Sequence, residues 1–193
     1  MRPSEQPYHH GDLRTALLDR AAEHLRTGTV ADLSLRALAR DLGVSHAAPQ
    51  RHFPDRRSLL DALAGAGWQR LDADLAAADP GPGAGVRARL LALGRAYVRF
   101  ATGEPALLEL MFAGKAAGER HEGPGLSAPY AVVADAQARG EVRGGDPEAL
   151  APALWAALHG VAALSVSGVL HGADVDALLV QTADTLLDGL RPR

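Results

Sequence analysis

The sequence of 193 residues contains no cysteine and few aromatic side chains. Without cysteine, neither a disulfide framework nor a thiolate metal site is possible, although the absence leaves the redox compartment undetermined. Aromatic residues make up 4% of the chain, and β-branched residues are sparse outside a few valines. Alanine and leucine, which have high helix propensity, are abundant instead. The composition therefore predicts an all-α protein.

Signatures of catalysis and of membrane targeting are also lacking. There is no Gly-x-Ser-x-Gly elbow, no phosphate-binding glycine loop and no His-Glu-x-x-His motif, and no Ser-His-Asp set has a plausible triad geometry. His9, His10 and His24 do not have the spacing of metal ligands. The first ten residues lack the apolar core of a signal peptide. We therefore expect a cytoplasmic protein that is not an enzyme and holds neither metal nor cofactor.

The net charge of −3 is unevenly distributed along the chain. Residues 1–57 contain nine arginines against seven acids, whereas the remainder contains eleven bases against sixteen acids. This excess of positive charge is small, so any non-specific affinity for nucleic acid should be modest and strongly dependent on salt. A chance fluctuation of surface charge gives the same division.

Residues 33–53 have the pattern of a helix-turn-helix. Ser34 is placed to cap the first helix, and Leu33 and Leu38 are spaced to pack against each other across that cap. The apolar residues of this helix form one stripe: Leu35, Leu38, Ala39 and Leu42. Gly43 can adopt the left-handed conformation that ends a helix, and Ser45 is placed to cap the next one.

The second helix of this motif is predicted from about His46 to Phe53. Pro49 near its start would forfeit only one hydrogen bond, the bond to the carbonyl of Ser45. The tip of this helix is slim and uncharged, and it would fit a major groove about 12 Å wide. His46, Gln50 and Arg51 are then available for base edges or phosphates, as in a recognition helix.

From about Tyr8 to Leu63 the sequence resembles the N-terminal domain of the tetracycline-repressor (TetR) family of transcriptional regulators. The similarity rests on Ser-Leu-Arg-Ala-Leu-Ala-Arg-Asp-Leu-Gly-Val-Ser and on Arg-His-Phe-Pro-Asp-Arg-Arg-Ser-Leu-Leu. Members usually have an aromatic residue at the position of Gln50 and a lysine at that of Arg56. Arg56 keeps the charge, and the Gln50 amide can pair with adenine.

Further helices are predicted along the rest of the chain, about nine in total. The fourth begins at a cap, Asp55, and runs to Ala78, and Gly65 and Gly67 mark either a bend or tight packing within it. The others cover residues 12–27, 86–102, 105–112, 129–139, 147–170 and 175–190, with loops at 79–85 and 114–125. The arginines of 86–102 are expected to solvate one face. We expect a DNA-binding domain at 9–69 and a ligand-binding and dimerisation domain at 70–193.

The stretch Ala149–Leu170 has no charged side chain. Its length is nominally that of a membrane span. Pro152, His159 and nearby acids favour instead a central helix whose faces meet the core and a second subunit. Together with the last helix it suggests a four-helix dimer interface. The predicted interface residues are Leu158, Ala162, Ser165, Leu178, Leu179, Thr182 and Leu186.

The spacing Trp155-x-x-x-His159-Gly160 resembles the C-terminal signature of a TetR subgroup often called the WHG domain. Trp155 and His159 lie one turn apart on the same helical face. They either line a pocket or form a core tryptophan beside a hydrogen-bonded histidine, and the second reading is preferred. The candidate ligand-binding residues are Tyr97, Phe100, Met111, Phe112, Trp155 and His159.

The motif and the resemblance together imply a ligand-responsive transcriptional regulator, usually a repressor. As a homodimer it would bind a palindromic double-stranded DNA operator with half-sites about 34 Å apart, and release it on binding a small apolar effector. The candidate DNA-binding residues are Ser34, Arg36, Ser45, His46, Ala47, Pro49, Gln50, Arg51, His52 and Arg56. The alternative is a helical small-molecule-binding or scaffold protein of the same fold with weak or lost DNA binding, which Gln50 and the small basic excess favour.

Overall fold

The computed structural model describes residues 10–116, 127–170 and 174–191, and these residues form helices and connecting turns. Eight α-helices lie within these ranges: α1 (His10–Thr27), α2 (Leu35–Asp41), α3 (Arg56–Ala78), α4 (Gly85–Gly103), α5 (Pro105–Ala116), α6 (Ser127–Ala138), α7 (Pro147–Val166) and α8 (Val175–Gly189). Short 3₁₀-helices occur at Val30–Asp32, Pro49–Arg51 and Pro82–Ala84. The described ranges contain no β-strand, so the predicted all-α class is confirmed. Tyr8, His9 and loop positions 117–125 lie outside the described residues.

The chain divides into two compact units. The first takes in the described residues of Met1–Gly67 and Ala106–Arg120, and the second those of Trp68–Pro105 and His121–Arg193. Segment 106–116 therefore belongs to the unit that contains the predicted helix-turn-helix, although it is distant from that motif in the sequence.

The first unit is built around leucines of α1, α2 and α3. Leu17, Leu38 and Leu59 are buried, one from each of these helices. Arg20 of α1 donates hydrogen bonds of 3.2 and 3.1 Å to Asp41 at the end of α2, which fixes the two helices to each other. Gly67 packs closely against α5, because a Cβ at this position would lie 2.7 Å from Met111 Sδ. Tight packing is thus the reason for a glycine here.

The second unit is built around α4, which contacts α6, α7 and α8. The apolar residues of α4 are spaced at helical intervals and are buried: Leu90, Leu91, Leu93, Tyr97 and Phe100. Gly94 allows α8 to lie close to α4, because a Cβ there would be 2.8 Å from Leu179 Cδ1. Leu158 and Val161 of α7 complete this part of the core.

Two predicted helix ends differ from the structure. Helix α7 ends at Val166 and not at Leu170, because Gly168 adopts a left-handed conformation with φ of 72° that stops the helix. Helix α5 continues through Gly114 to Ala116, where a loop was predicted. A single glycine lowers helix propensity by only about 1 kcal/mol, which the neighbouring turns can offset.

Candidate nucleic-acid interface and effector site

The first helix of the predicted motif begins as the sequence indicates. The Ser34 side-chain oxygen accepts a hydrogen bond of 3.1 Å from the backbone N–H of Ala37. Leu33 and Leu38, on either side of this cap, are both 2% exposed and form part of the core. Gly43 has φ of 67°, so the turn uses the left-handed conformation that only glycine adopts without strain.

The predicted recognition helix at 46–53 is not an α-helix. Residues 46–48 form a turn and Pro49–Arg51 form a 3₁₀-helix. Because Pro49 has no N–H, the Ser45 carbonyl accepts instead from Ala48, at 3.0 Å, and this shorter bond tightens the chain into 3₁₀ geometry. Pro49 was expected to cost one hydrogen bond, but it is accompanied by a change from α-helical to 3₁₀ geometry in the segment. The first regular i to i−4 bond is from Phe53 to the Pro49 carbonyl, at 2.9 Å.

Most of the predicted DNA-binding side chains lie at the surface of the first unit. The exposed ones are Arg36, Ser45, His46, Ala47, Gln50, Arg51 and Arg56, whereas Ser34 and His52 are half-buried. Pro49 is buried, so its ring supports the segment from within and does not face solvent. The structure thus brings together an exposed tip at 45–47 and two further polar side chains, Gln50 and Arg51, on the same short segment.

Arg56 has a structural role that sequence reasoning did not identify. Its Nε donates to the carbonyl of Leu33 at 2.9 Å, and its Nη2 donates to the carbonyl of Val30 at 2.5 Å. These bonds join the start of α3 to the segment that precedes α2. Asp55 caps α3 as predicted, because its Oδ1 accepts from the N–H of Ser58 at 2.7 Å. No sequence signal indicates the Arg56 bonds, since the carbonyls lie more than twenty residues earlier.

In the second unit Tyr97, Trp155 and His159 form a polar cluster between α4 and α7. The Tyr97 hydroxyl lies 2.6 Å from His159 Nδ1, and the rings of Tyr97 and Trp155 are 4.3 Å apart, centre to centre. Burial lowers the pKa of His159, so the imidazole is neutral at pH 7 and its Nδ1 can accept a hydrogen bond from the Tyr97 hydroxyl. Burial likewise raises the pKa of Tyr97 above its ordinary value. The histidine is thus hydrogen-bonded beside a core tryptophan.

The remaining candidate ligand-binding residues are distributed differently. Phe100 lies one turn beyond Tyr97 on α4 and lines a cleft in the second unit. Met111 and Phe112 belong to α5 and to the first unit. Tyr97, Phe100, Trp155 and His159 therefore belong to the second unit, and the other two candidates do not.

A buried arginine, Arg89, organises the charged groups of the second unit. It is 4% exposed, which contradicts the expectation that the arginines of this helix solvate a face. It donates to both carboxylate oxygens of Asp79, at 2.8 and 2.6 Å, and to Asp135 at 2.6 Å. These hydrogen bonds from Arg89 hold the pKa of Asp79 below its ordinary value. No pattern in the sequence indicates this cluster, because Asp79 and Asp135 lie ten and forty-six positions from Arg89.

The outer face of α7 is apolar and exposed. Leu158, Ala162 and Leu179, which were expected in a dimer interface, are buried within this chain, at 3%, 0% and 1% exposure. Ser165, Leu178, Thr182 and Leu186 are half-buried. Besides Glu148 at its start and Val166 at its end, the exposed positions of α7 instead form a stripe of mostly small side chains: Ala149, Pro152, Ala153, Ala156, Ala163 and Leu164. The interior and the outer face of this helix are chemically alike, so sequence alone could not assign them.

Helix α7 also meets the length and composition of a membrane span. An 18-residue window within Pro147–Val166 has a mean hydropathy of 1.6, and 33% of it is buried. A single helix of this kind is weak evidence for a membrane span, because core helices of soluble proteins have the same properties. Among the described residues, no group of three or more histidine or acidic side chains is placed to bind a metal ion.

Comparisons with known proteins agree with this architecture. A family profile described as "Tetracyclin repressor-like, C-terminal domain" matches residues 90–186. A solved structure of a protein of unknown function from Rhodococcus sp. RHA1 is 44% identical, with 96% of this chain and 99% of that chain covered and a TM-score of 0.85. No protein of curated function matches the sequence.

Two further solved structures share the fold at lower identity. A TetR-family transcriptional regulator from Pectobacterium atrosepticum is 24% identical, with 98% and 100% of the two chains covered and a TM-score of 0.69. A regulatory protein of the same family from Rhodococcus RHA1 is 19% identical, with 92% and 96% covered and a TM-score of 0.68. The profile match over half of the chain shows the relationship directly. The chain belongs to the TetR family of transcriptional regulators.

Proposed function

We propose that this protein is a ligand-responsive repressor that binds a palindromic DNA operator as a homodimer. The observation that carries the proposal is the exposed segment 45–51, held on a capped helix and presenting His46, Gln50 and Arg51 to solvent. Its side chains are short or polar and carry no negative charge, as contact with a phosphate-lined groove requires. The protein would act in the cytoplasm, where an operator is accessible.

The 3₁₀ geometry of Pro49–Arg51 affects which atoms can contact DNA. A 3₁₀ turn rises about 2.0 Å per residue against 1.5 Å in an α-helix, so the segment is narrower and longer than the predicted helix. Gln50 and Arg51 suit base edges, with amide to adenine and guanidinium to guanine as the usual pairings. Ser45, His52 and Arg36 suit phosphates, and Arg56 holds the scaffold through its two carbonyl bonds.

The homodimer would form through the outer face of α7 and the adjacent side of α8. The α7 stripe from Ala149 to Leu164 is apolar and exposed, and Leu178, Thr182 and Leu186 of α8 are half-buried. Small side chains allow two helices to lie close together, as in a four-helix interface related by a two-fold axis. Such a dimer would present two recognition segments to consecutive grooves, about 34 Å apart.

Regulation would follow from a difference in effector affinity between two conformations. An effector that binds more tightly to the conformation with the wrong half-site spacing weakens DNA binding. The loss of DNA-binding free energy cannot exceed the difference in the effector's binding free energy between the two conformations. The second unit is the proposed location of effector binding.

A gel-shift titration with the region upstream of the chain's own gene tests the proposal. We expect specific binding to a palindrome at low salt, and an Arg51→Ala variant to weaken it by about 1–3 kcal/mol if Arg51 contacts a base. Arg191→Ala, which removes one positive charge from the second unit, should leave the affinity unchanged. Failure to bind any palindrome at low salt would contradict the proposal.

The second candidate is a ligand-binding protein of the same fold that does not regulate transcription. The exposed Gln50 amide and the small basic excess of the N-terminal segment favour it. The salt dependence of DNA binding separates the two, because a true operator contact releases counterions and gives a steep slope against log salt. A flat slope with intact ligand binding would support this second candidate.

A further inference from the structure

A cleft of about 390 Å³ lies in the second unit between the C-terminal halves of α3 and α4. Its walls are Arg70, Asp74, Ala77 and Ala78 of α3, and Ala96, Arg99 and Phe100 of α4. On each helix these residues are three or four positions apart, so they share one face. The volume is within the range of small-molecule sites, roughly 300–1,000 Å³.

One cation of the cleft, Arg70, is held in a fixed position. Its Nη1 donates to Glu104 Oε1 at 2.8 Å, and its guanidinium carbon lies 5.6 Å from the centre of the Phe100 ring. Glu104 is 4% exposed, whereas the Arg70 side chain is 46% exposed. A buried carboxylate and an aromatic ring thus orient a guanidinium that still faces solvent, which lowers the entropy lost when a ligand binds it.

The other cation, Arg99, has no ion-pair partner among the described residues. Of the four arginines of α4, three are paired: Arg87 with Asp184, Arg89 with Asp79 and Asp135, and Arg95 with Asp176. In the described part of the chain no carboxylate lies within ion-pair distance of Arg99. This arginine is exposed and lines the cleft. The arginine of α4 that has no ion-pair partner among the described residues is therefore the one that lines the cleft.

The remaining walls restrict the chemistry of a ligand. Ala77, Ala78, Ala96 and the edge of Phe100 are apolar and leave space for a small hydrocarbon or aromatic body. Asp74 is one turn from Arg70 and disfavours a second negative charge. Because Asp74 repels a second negative charge, an anion with one charge and a planar group that accepts two hydrogen bonds suits this cleft better than a phosphate dianion does.

We propose that this cleft binds a small monocarboxylate with an apolar body, and that such a molecule is the effector. The effector role depends on the function proposed above, whereas the binding does not. The carboxylate would accept hydrogen bonds from Arg99 and from the donors of Arg70 that Glu104 leaves available. The apolar body would lie against the alanines and Phe100.

Calorimetric titration of the full-length protein, without DNA, tests the binding. The probes are phenylacetate, benzoate and hexanoate, with phenylacetamide as the neutral isostere and inorganic phosphate as the alternative anion. We expect saturable binding of at least one carboxylate, and affinity at least about tenfold lower for the amide, since a charge-assisted pair is lost. Absence of binding by all three carboxylates, equal binding of the amide, or tighter binding of phosphate would overturn the proposal.

Three variants locate the site. Arg99→Gln should weaken carboxylate binding about tenfold, and Asp74→Asn should strengthen it because a repelling charge is removed. Arg95→Gln, one turn earlier on the same helix but paired with Asp176, should have no effect. Unchanged binding in Arg99→Gln, or weaker binding in Asp74→Asn, would contradict the assignment. Because no DNA is present, failure of operator binding in a separate gel shift would leave this result intact.

Discussion

At the scale of single residues, close packing at Gly94 prevents the second unit from accommodating a larger side chain at this position. A Cβ at this position would lie 2.8 Å from Leu179 Cδ1 and 3.3 Å from Leu158 Cδ2, and both leucines are buried. Neither side chain can move without displacing others, because the interior is close-packed. The separation of α4 from α7 and α8 therefore depends on the absence of one methyl group.

We expect Gly94→Ala to lower the free energy of unfolding by about 1–3 kcal/mol, because the added methyl overpacks the core. Denaturant titration measures the change. Gly65→Ala is the matched control, since α3 has nothing within 4 Å of a Cβ there. It should stabilise the protein by up to about 1 kcal/mol through helix propensity. A Gly94→Ala protein as stable as the wild type would show that the helices separate at little cost.

A pH-dependent contribution to stability is predicted for Asp79. Because hydrogen bonds from Arg89 lower its pKa in the folded state below the ordinary value of 3.8, its contribution is present above about pH 4. That contribution is lost as the pH falls through the folded-state pKa. Asp79→Asn should therefore reduce stability at pH 7 by about 3 kcal/mol, since it leaves a buried arginine poorly compensated.

The difference between wild type and Asp79→Asn should narrow as the pH is lowered below about 4, because Asp79 of the unfolded wild type then binds a proton that the folded carboxylate binds only at a lower pH. Thermal unfolding at several pH values measures it. Asp188→Asn removes an exposed pair with Arg191 and should change stability by less than about 1 kcal/mol. A gap between wild type and Asp79→Asn that is constant from pH 7 to pH 3 would contradict the role of this ion pair.

Residues whose partners are close in sequence were predictable, and residues with distant partners were not. The Ser34 cap and the Gly43 turn depend on positions within a few residues, so the pattern alone indicates them. Arg89 has partners ten and forty-six positions away, and its burial follows from how α4 and α6 pack. No periodicity along one helix carries that information.

At the scale of secondary-structure elements, the two serines of the helix-turn-helix provide a direct comparison. Both were predicted to cap helices, but only Ser34 accepts a backbone hydrogen bond. The 3₁₀-helix Pro49–Arg51 begins after Ala48 without a side-chain cap. The Ser45 hydroxyl has no hydrogen-bond partner among the described residues, so it is available to a ligand such as a phosphate.

We expect Ser34→Ala to destabilise the first unit by about 1 kcal/mol, since the N–H of Ala37 loses its partner. Ser45→Ala should leave stability unchanged within about 0.5 kcal/mol. Amide hydrogen exchange of α2 measures both effects locally. Equal protection losses in the two variants would show that Ser45 also caps a helix.

The helices were predictable in kind, and their differences from prediction have local causes. In the recognition segment Pro49 leads to i to i−3 hydrogen bonds in place of the i to i−4 bonds of an α-helix. The segment is too short to form a regular α-helix after the proline. In α7, Pro152 lies within a long helix that continues to Val166. The same residue type thus ends regular helix in one place and is tolerated in another, depending on helix length.

At the scale of the whole molecule, the outer face of α7 should determine oligomeric state. We expect Ala156→Glu to be monomeric at concentrations at which the wild type is a dimer, because a carboxylate would be buried in the interface without a partner. Sedimentation velocity measures the change. Ala131→Glu, at an exposed position of α6, introduces the same charge elsewhere and should remain dimeric.

A dimeric Ala156→Glu protein would place the interface on another surface. A monomeric variant should also lose affinity for a palindromic operator, since the two half-sites would then be bound independently. Sequence predicted that α7 would meet both the core and a second subunit. It could not assign the faces, because alanines, leucines and valines occur on both.

The lack of charge on α7 after Glu148 has a consequence for behaviour in different salt concentrations. From Ala149 to Leu170 no side chain carries a charge, so ions have little to screen in the part of the proposed subunit contact that α7 forms. Attraction to phosphates is weakened by the same ions. Rising ionic strength should therefore release the protein from its operator while the two subunits stay associated. When the salt is diluted, both half-sites can then be bound again without reassembly of the dimer.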